Sequence, residues 1–120
     1  MAAFKVRLVI GRGATFRQRF TWKQKVNGVV SAVDLTGYSA RMQIRSDYES
    51  PTVLASLTTT NGGITLGGTS GTIDLFINDA TTDGFSWDSG VFDIEFVAPN
   101  TDVIRQVYGT VIVTPGVTRG

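Results

Sequence analysis

The stretch Val33-Asp34-Leu35-Thr36-Gly37-Tyr38-Ser39-Ala40-Arg41-Met42-Gln43-Ile44-Arg45 decides the fold. Its first half, Asp-Leu-Thr-Gly, is a turn signal. Its second half sets Ala40, Met42 and Ile44 in alternation with Arg41, Gln43 and Arg45. Successive side chains of a strand point to opposite sides, so this run buries an apolar face and shows a basic one.

The same alternation recurs outward from that stretch. Phe4, Val6, Leu8 and Ile10 alternate with Lys5, Arg7 and Val9, and Phe16, Gln18, Phe20 and Trp22 with Thr15, Arg17, Arg19 and Thr21. Ile73, Leu75 and Ile77 oppose Thr72, Asp74 and Phe76; Phe92, Ile94 and Phe96 oppose Asp93, Glu95 and Val97. Glycine-rich punctuation separates the runs at Gly11–Gly13, Asn27-Gly28, Asn61–Gly63, Gly67-Gly68, Ser70-Gly71 and Ser89-Gly90. Asn27-Gly28 is the dipeptide of a two-residue type I′ hairpin, which needs positive φ twice. Asn78–Gly84 is the one helical signal, with Asn78 or Asp79 as N-cap and Gly84 as terminator. Gly109 interrupts the last strand, where a bulge or sharp twist is expected.

Turns about every 8–12 residues indicate a sandwich or barrel. The expected fold is all-β: a two-layer, Ig-like antiparallel sandwich of about seven to nine strands, one domain over residues 1–120, with a short helical turn near 78–84. Its core should hold Phe16, Phe20, Trp22, Leu35, Met42, Ile44, Ile73, Leu75, Ile77, Trp87, Phe92, Ile94, Phe96, Val111 and Val113.

Composition narrows the chemistry. There is no cysteine and no histidine among the 120 residues. Disulfides, thiolate nucleophiles and Ser-His-Asp triads are thereby excluded, and zinc sites nearly so. Gly11-x-Gly13 lacks the third glycine and the helix of a phosphate loop. Asp79-x-Thr81-x-Asp83-Gly84 opens like a calcium loop, but Gly90 stands where the bidentate glutamate belongs. Asp93 and Glu95 share the polar side of one strand and make the only carboxylate pair of note for glycoside chemistry. No enzyme activity, cofactor or metal is expected. The amino-terminal MAAFKVRLVIGRG has no apolar signal-peptide region, and no run approaches the roughly 18 apolar residues of a membrane helix. A soluble protein with no membrane partner is expected.

The net charge of +1 conceals an asymmetry: nine of eleven basic residues precede Ser46, and nine of ten acids follow it. Basic and acidic strands can neutralise each other across one fold. Alternatively, a two-signed surface can dock head-to-tail on neighbouring subunits. Arg17, Arg19, Lys23 and Lys25 flank Trp22, a pattern that also suits nucleic acid. Trp22 is in register with the core residues Phe16 and Phe20, so nucleic acid is not the expected partner.

The order GATFRQRFTW, VDLTGYSARMQIR, GGITL, GTIDLFINDATT, WDSGVFDIEFVAP and VIRQVYGTVIVTPGVTR resembles a β-sandwich module of tailed-phage virion proteins. It is similar to the N-terminal domain of upper baseplate proteins and to related attachment domains of tail and head fibres. The resemblance implies a structural virion protein assembled in the host cytoplasm, present in multiple copies or as a homo-oligomer. Its partners would be other virion proteins. It also implies that Leu35 plugs one end of the core while Arg41 and Arg45 face a neighbour. With no coiled coil or receptor-binding domain in these residues, an adaptor, decoration, baseplate, tail or neck subunit is expected rather than a fibre. The interface expected on these grounds comprises Arg17, Arg19, Arg41 and Arg45, assisted by the strand carrying Phe4, Val6 and Leu8. The alternative is a carbohydrate- or cell-surface-binding module, which would gather Tyr38, Tyr48, Phe76, Phe85 and Tyr108 in one groove.

Overall fold

The computed structural model describes residues 4–118; Arg119 lies outside the described residues. The elements run β1 (Phe4–Gly11), β2 (Phe16–Thr21), β3 (Lys23–Val26), β4 (Val29–Ala32), β5 (Ser39–Arg45), β6 (Ala55–Thr58) and β7 (Ile64–Leu66). A 3-10 turn (Gly68–Ser70), β8 (Thr72–Ile77), α1 (Asp79–Asp83), β9 (Ser89–Val97) and β10 (Val103–Thr114) follow. Five strands form one sheet in the order β1-β10-β9-β5-β6, and three form a second in the order β2-β8-β7. The inward side chains of both merge into one apolar core. The fold is thus an all-β sandwich.

Alternation decides which side chains enter that core. β5 buries Ala40, Met42 and Ile44 and exposes Ser39, Arg41 and Gln43. β9 sits between β5 and β10, pairing antiparallel with both, and buries Phe92, Ile94 and Phe96. The opening turn behaves as its residues dictate. Asp34 Oδ1 accepts from the Thr36 amide (3.0 Å) and hydroxyl (2.6 Å). Gly37 takes φ +81°, and Leu35 is buried in the core.

β3 and β4 belong to neither sheet. They form a separate two-stranded ribbon closed by Asn27 (φ 51°) and Gly28 (φ 79°), both left-handed as a type I′ turn requires. Trp22 anchors its foot: its amide donates to Gly71 O (2.9 Å) and its carbonyl accepts from the Val33 amide (2.9 Å). Trp22 itself is buried, 5.2 Å from Phe96 between ring centroids. Gly71 (φ +69°) is required here, because a Cβ would come within 2.8 Å of Trp22 O and 3.0 Å of Val33 O.

Eight strands lie in the two layers, within the seven to nine expected, and two more form the ribbon. Other expectations are corrected. The sandwich is not wholly antiparallel, since β1 runs parallel to β10 from Phe4↔Val107 to Gly11↔Thr114. The register shift in β10 lies between Arg105 and Val107, not at Gly109. Gly109 instead admits β1, whose Val6 carbonyl would collide with any Cβ there. Trp87 only packs against the core from its margin, while Phe85, counted among possible surface aromatics, is buried against it at 4.8 Å.

Trp22 joins the apolar core to the ribbon, so Trp22→Ala should cost about 3–5 kcal/mol, as large-to-small core changes do. Chemical denaturation measures this. A loss within the surface range of about 0.5 kcal/mol would contradict the assignment.

Candidate interaction surface

The four arginines singled out from the sequence reach two opposite faces. Arg17 and Arg19 project from β2 on the outside of the three-stranded sheet, and Arg41 and Arg45 from β5 on the outside of the five-stranded sheet. No single patch holds all four.

On the three-stranded sheet, Arg19 stands opposite Asp74 and Arg17 opposite Phe76. Arg19 grips Asp74 with two bonds, Nε to Oδ1 at 2.6 Å and Nη2 to Oδ2 at 2.9 Å. The hydrogen bond from Arg19 holds the Asp74 carboxyl below the usual range, and the same pairing raises Arg19. The Arg17 guanidinium lies 4.6 Å from the Phe76 ring centroid, a cation–π contact.

On the five-stranded sheet, β9 offers two carboxylates to the arginines of its neighbours. Arg41 Nε meets Glu95 Oε1 at 2.9 Å, and Arg105 Nη1 lies 3.6 Å from Asp93 Oδ2. Arg45 donates to Ser50 O (2.8 Å) and Gln43 Oε1 (2.7 Å). Asp93 and Glu95 are therefore each matched to an arginine on a neighbouring strand. Around them lies a shallow basin of about 270 Å³, lined by Arg41, Gln43, Arg45, Asp93 and Glu95 and by Asp47 and Tyr48 of the following loop. Tyr48 is 72% exposed.

β1 is an edge strand, as a pairing role needs. Phe4, Val6 and Leu8, however, face the core: Leu8 is buried, Phe4 and Val6 pack against it, and Phe4 meets Phe20 edge-on at 6.1 Å. What β1 presents outward is its free backbone edge with Lys5, Arg7 and Val9. The five aromatics proposed for a sugar groove are dispersed. Phe85 is buried, Tyr38 packs on Trp22, and Phe76 lies under Arg17. Tyr108 stands opposite Asp93 on β9, and Tyr48 is on the loop after β5.

Both readings of the charge asymmetry have a physical counterpart. Arg12–Asp88, Arg19–Asp74, Arg41–Glu95 and Arg105–Asp93 pair basic and acidic segments within the chain. Among the described residues, Lys5, Arg7, Lys23 and Lys25 enter no ion pair.

Two structural devices had no signal in the sequence. Arg12 ties down the segment after α1 by donating from Nε to Phe85 O (2.7 Å) and from Nη2 to Trp87 O (3.1 Å). The fully buried Thr82 accepts from the Gly13 amide and donates to Ala14 O. The partners are about seventy residues apart, so local spacing cannot reveal them. The Asp79–Asp83 segment is a capped helical turn, with Asn78 Oδ1 accepting from the Thr81 amide at 2.8 Å. Among the described residues no three carboxylates gather. No protein-family model matches the chain, and no curated protein matches it. Among the described residues no helix is long and apolar enough to cross a membrane.

The lowered Asp74 carboxyl sets a pH dependence. A depressed folded value means the unfolded chain takes up the proton first as pH falls. The stabilisation is fully present above the ordinary carboxyl value near 3.9 and is lost as pH falls through the lower folded value. Arg19→Gln should therefore lower the melting temperature at pH 7 and converge on wild type in strong acid. A gap that stays constant with pH would contradict the pairing.

Proposed function

We propose that the protein is a structural subunit of a tailed-bacteriophage virion, in an adaptor, decoration, baseplate, tail or neck position. It acts by protein–protein contact, in multiple copies, rather than by catalysis. Assembly takes place in the host cytoplasm, and the partners are other virion proteins. The phage assignment rests on the resemblance of the ordered strand and turn motifs to virion sandwich modules. The contact role rests on one observation, the basin on the outer face of the five-stranded sheet.

That basin has the composition of a protein contact. Tyrosine and arginine are the residues that most often carry binding energy at interfaces. Here an exposed Tyr48 stands beside Arg41 and Arg45, with Asp93 and Glu95 held in place by partners on adjacent strands. A guanidinium already seated on a strand loses little freedom when a second carboxylate approaches. The surface is shallow and bears charges of both signs, which suits a complementary protein face.

Exchanging Arg41 for Glu would set a carboxylate against Glu95, so a neutral pair of substitutions is the cleaner probe. Arg41→Gln with Arg45→Gln should change stability by no more than about 1 kcal/mol, as exposed pairs do. The double variant should be missing from particles when it complements a deletion of the gene. Wild-type chain should be found by quantitative mass spectrometry in several copies per purified particle. Absence of the wild-type chain from particles would overturn the virion reading. Normal incorporation of the double variant would remove the basin from the contact.

A further inference from the structure

Within the two layers, the chain repeatedly sets arginine against carboxylate across adjoining strands. Arg19 meets Asp74 between β2 and β8, Arg41 meets Glu95 between β5 and β9, and Arg105 meets Asp93 between β10 and β9. β1 is basic too, but its neighbour β10 places Tyr108, Thr110 and Ile112 beside Lys5, Arg7 and Val9. Lys5 and Arg7 are exposed, and neither enters an ion pair among the described residues.

The backbone of β1 is half used. Ile10 O lies 3.5 Å from Thr114 Oγ1, and the Val6 carbonyl lies against Gly109. The even-numbered residues therefore turn their N–H and C=O groups to β10. Alternate residues of a strand turn the same groups the other way. Those of Lys5, Arg7 and Val9 line the outer edge, where the sheet has no further strand among the described residues.

The seam beneath that edge is unfinished. β1 and β2 flank it, as the contact of Phe4 with Phe20 indicates. Phe4 and Val6 point inward yet are only half-buried. On β2, Gln18 holds an inward register position between the buried Phe16 and Phe20 and opposite the buried Leu75, yet it is exposed.

We propose that the β1 edge receives an extended strand of a partner protein in which apolar residues alternate with Asp or Glu. Main-chain hydrogen bonds to Lys5, Arg7 and Val9 hold it in place. Its carboxylates stand beside Lys5 and Arg7, and its apolar side chains cover Phe4 and Val6. The chain uses the same solution internally: Phe92-Asp93-Ile94-Glu95-Phe96 of β9 alternates in this way beside the basic β5. A second copy is not the occupant. Two β1 edges would bring like charges together, and the acidic strands β8 and β9 are each central in their sheets. The basin lies across β5 and β9, with β10 between it and β1, so this inference goes beyond the contact role proposed above.

The probe is a synthetic peptide blocked at both ends, Thr-Val-Asp-Ile-Glu-Val-Thr, titrated onto the purified full chain and followed by amide NMR. Binding should saturate, slow the exchange of the Lys5, Arg7 and Val9 amides, and weaken in salt near 1 M, where screening acts within about 3 Å. Lys5→Glu with Arg7→Glu should melt like wild type, bind this peptide about tenfold or more weakly, and prefer the reversed peptide Thr-Val-Lys-Ile-Arg-Val-Thr. N-methylation tests the main-chain bonds. Methyl groups on the Asp and Glu amides should block an antiparallel strand, and those on the Val and Ile amides a parallel one. Failure to saturate up to the solubility limit of the peptide would overturn the inference. So would binding indifferent to charge reversal or to both methylations, or protection that appears at β6 or the ribbon instead. Dimerisation of the chain alone that Lys5→Glu with Arg7→Glu abolishes would assign the edge to a second copy and overturn it as well. No particle enters this experiment, so its failure leaves the virion reading standing, and absence of the chain from particles leaves the edge standing.

Discussion

The structure hinges on how one residue, Trp22, is held. Its ring belongs to the core, against Phe96 and edge-on to Tyr38. Its backbone belongs to the ribbon, because its amide and carbonyl are spent on Gly71 and Val33. The chain therefore leaves the three-stranded sheet at a point fixed by both apolar packing and hydrogen bonds. A glycine at position 71 is the condition for this, since a side chain there would push the foot of the ribbon off the sheet. Leu35 completes the junction: its amide bonds to Gly68 O (2.9 Å), and its side chain is buried in the core.

From that junction the two layers follow by alternation. The inner faces share one core, and the outer faces carry charge in register across strands. On the five-stranded sheet the acidic strand β9 lies between β5 and β10, so an arginine from each side reaches a β9 carboxylate. On the other sheet Arg19 and Asp74 repeat the pattern. Such exposed pairs contribute little to stability. Their effect is to hold side chains in place on faces that remain open. At the far end, Arg12 and Thr82 fasten α1 and the segment behind it to the β1–β2 turn.

Much of the fold was legible because it is written in short-range pattern. The alternation of β5, β8 and β9 placed Met42, Ile44, Leu75 and Ile94 in the core, where they are. Asn27-Gly28 and Asn78 mark their turn and cap by local chemistry alone. Long-range facts were not legible. The parallel pairing of β1 with β10 joins segments about a hundred residues apart, and nothing in Phe4–Gly11 specifies its partner. Gly109 could be read as a bulge because the approach of Val6, its actual cause, comes from the other end of the chain. Val29 and Val30 read as an ordinary strand, and only the topology shows that their strand has no layer to cover it. The arginines of the candidate surface were visible as exposed positions, but not their division between two opposite faces.

The ribbon stands in solvent on an anchored foot rather than folded onto its own sandwich. Amide hydrogen exchange on dilute, monomeric protein tests this most directly. Exchange should be slow at the Trp22 and Val33 amides, both bonded at the junction, and at the central strand β9. Within Lys23–Ala32, exchange should be faster by orders of magnitude, because a solvent-exposed ribbon opens locally without unfolding the core. Protection throughout the ribbon equal to that of β9 in the monomer would contradict this, because it would mean the ribbon is packed against its own chain.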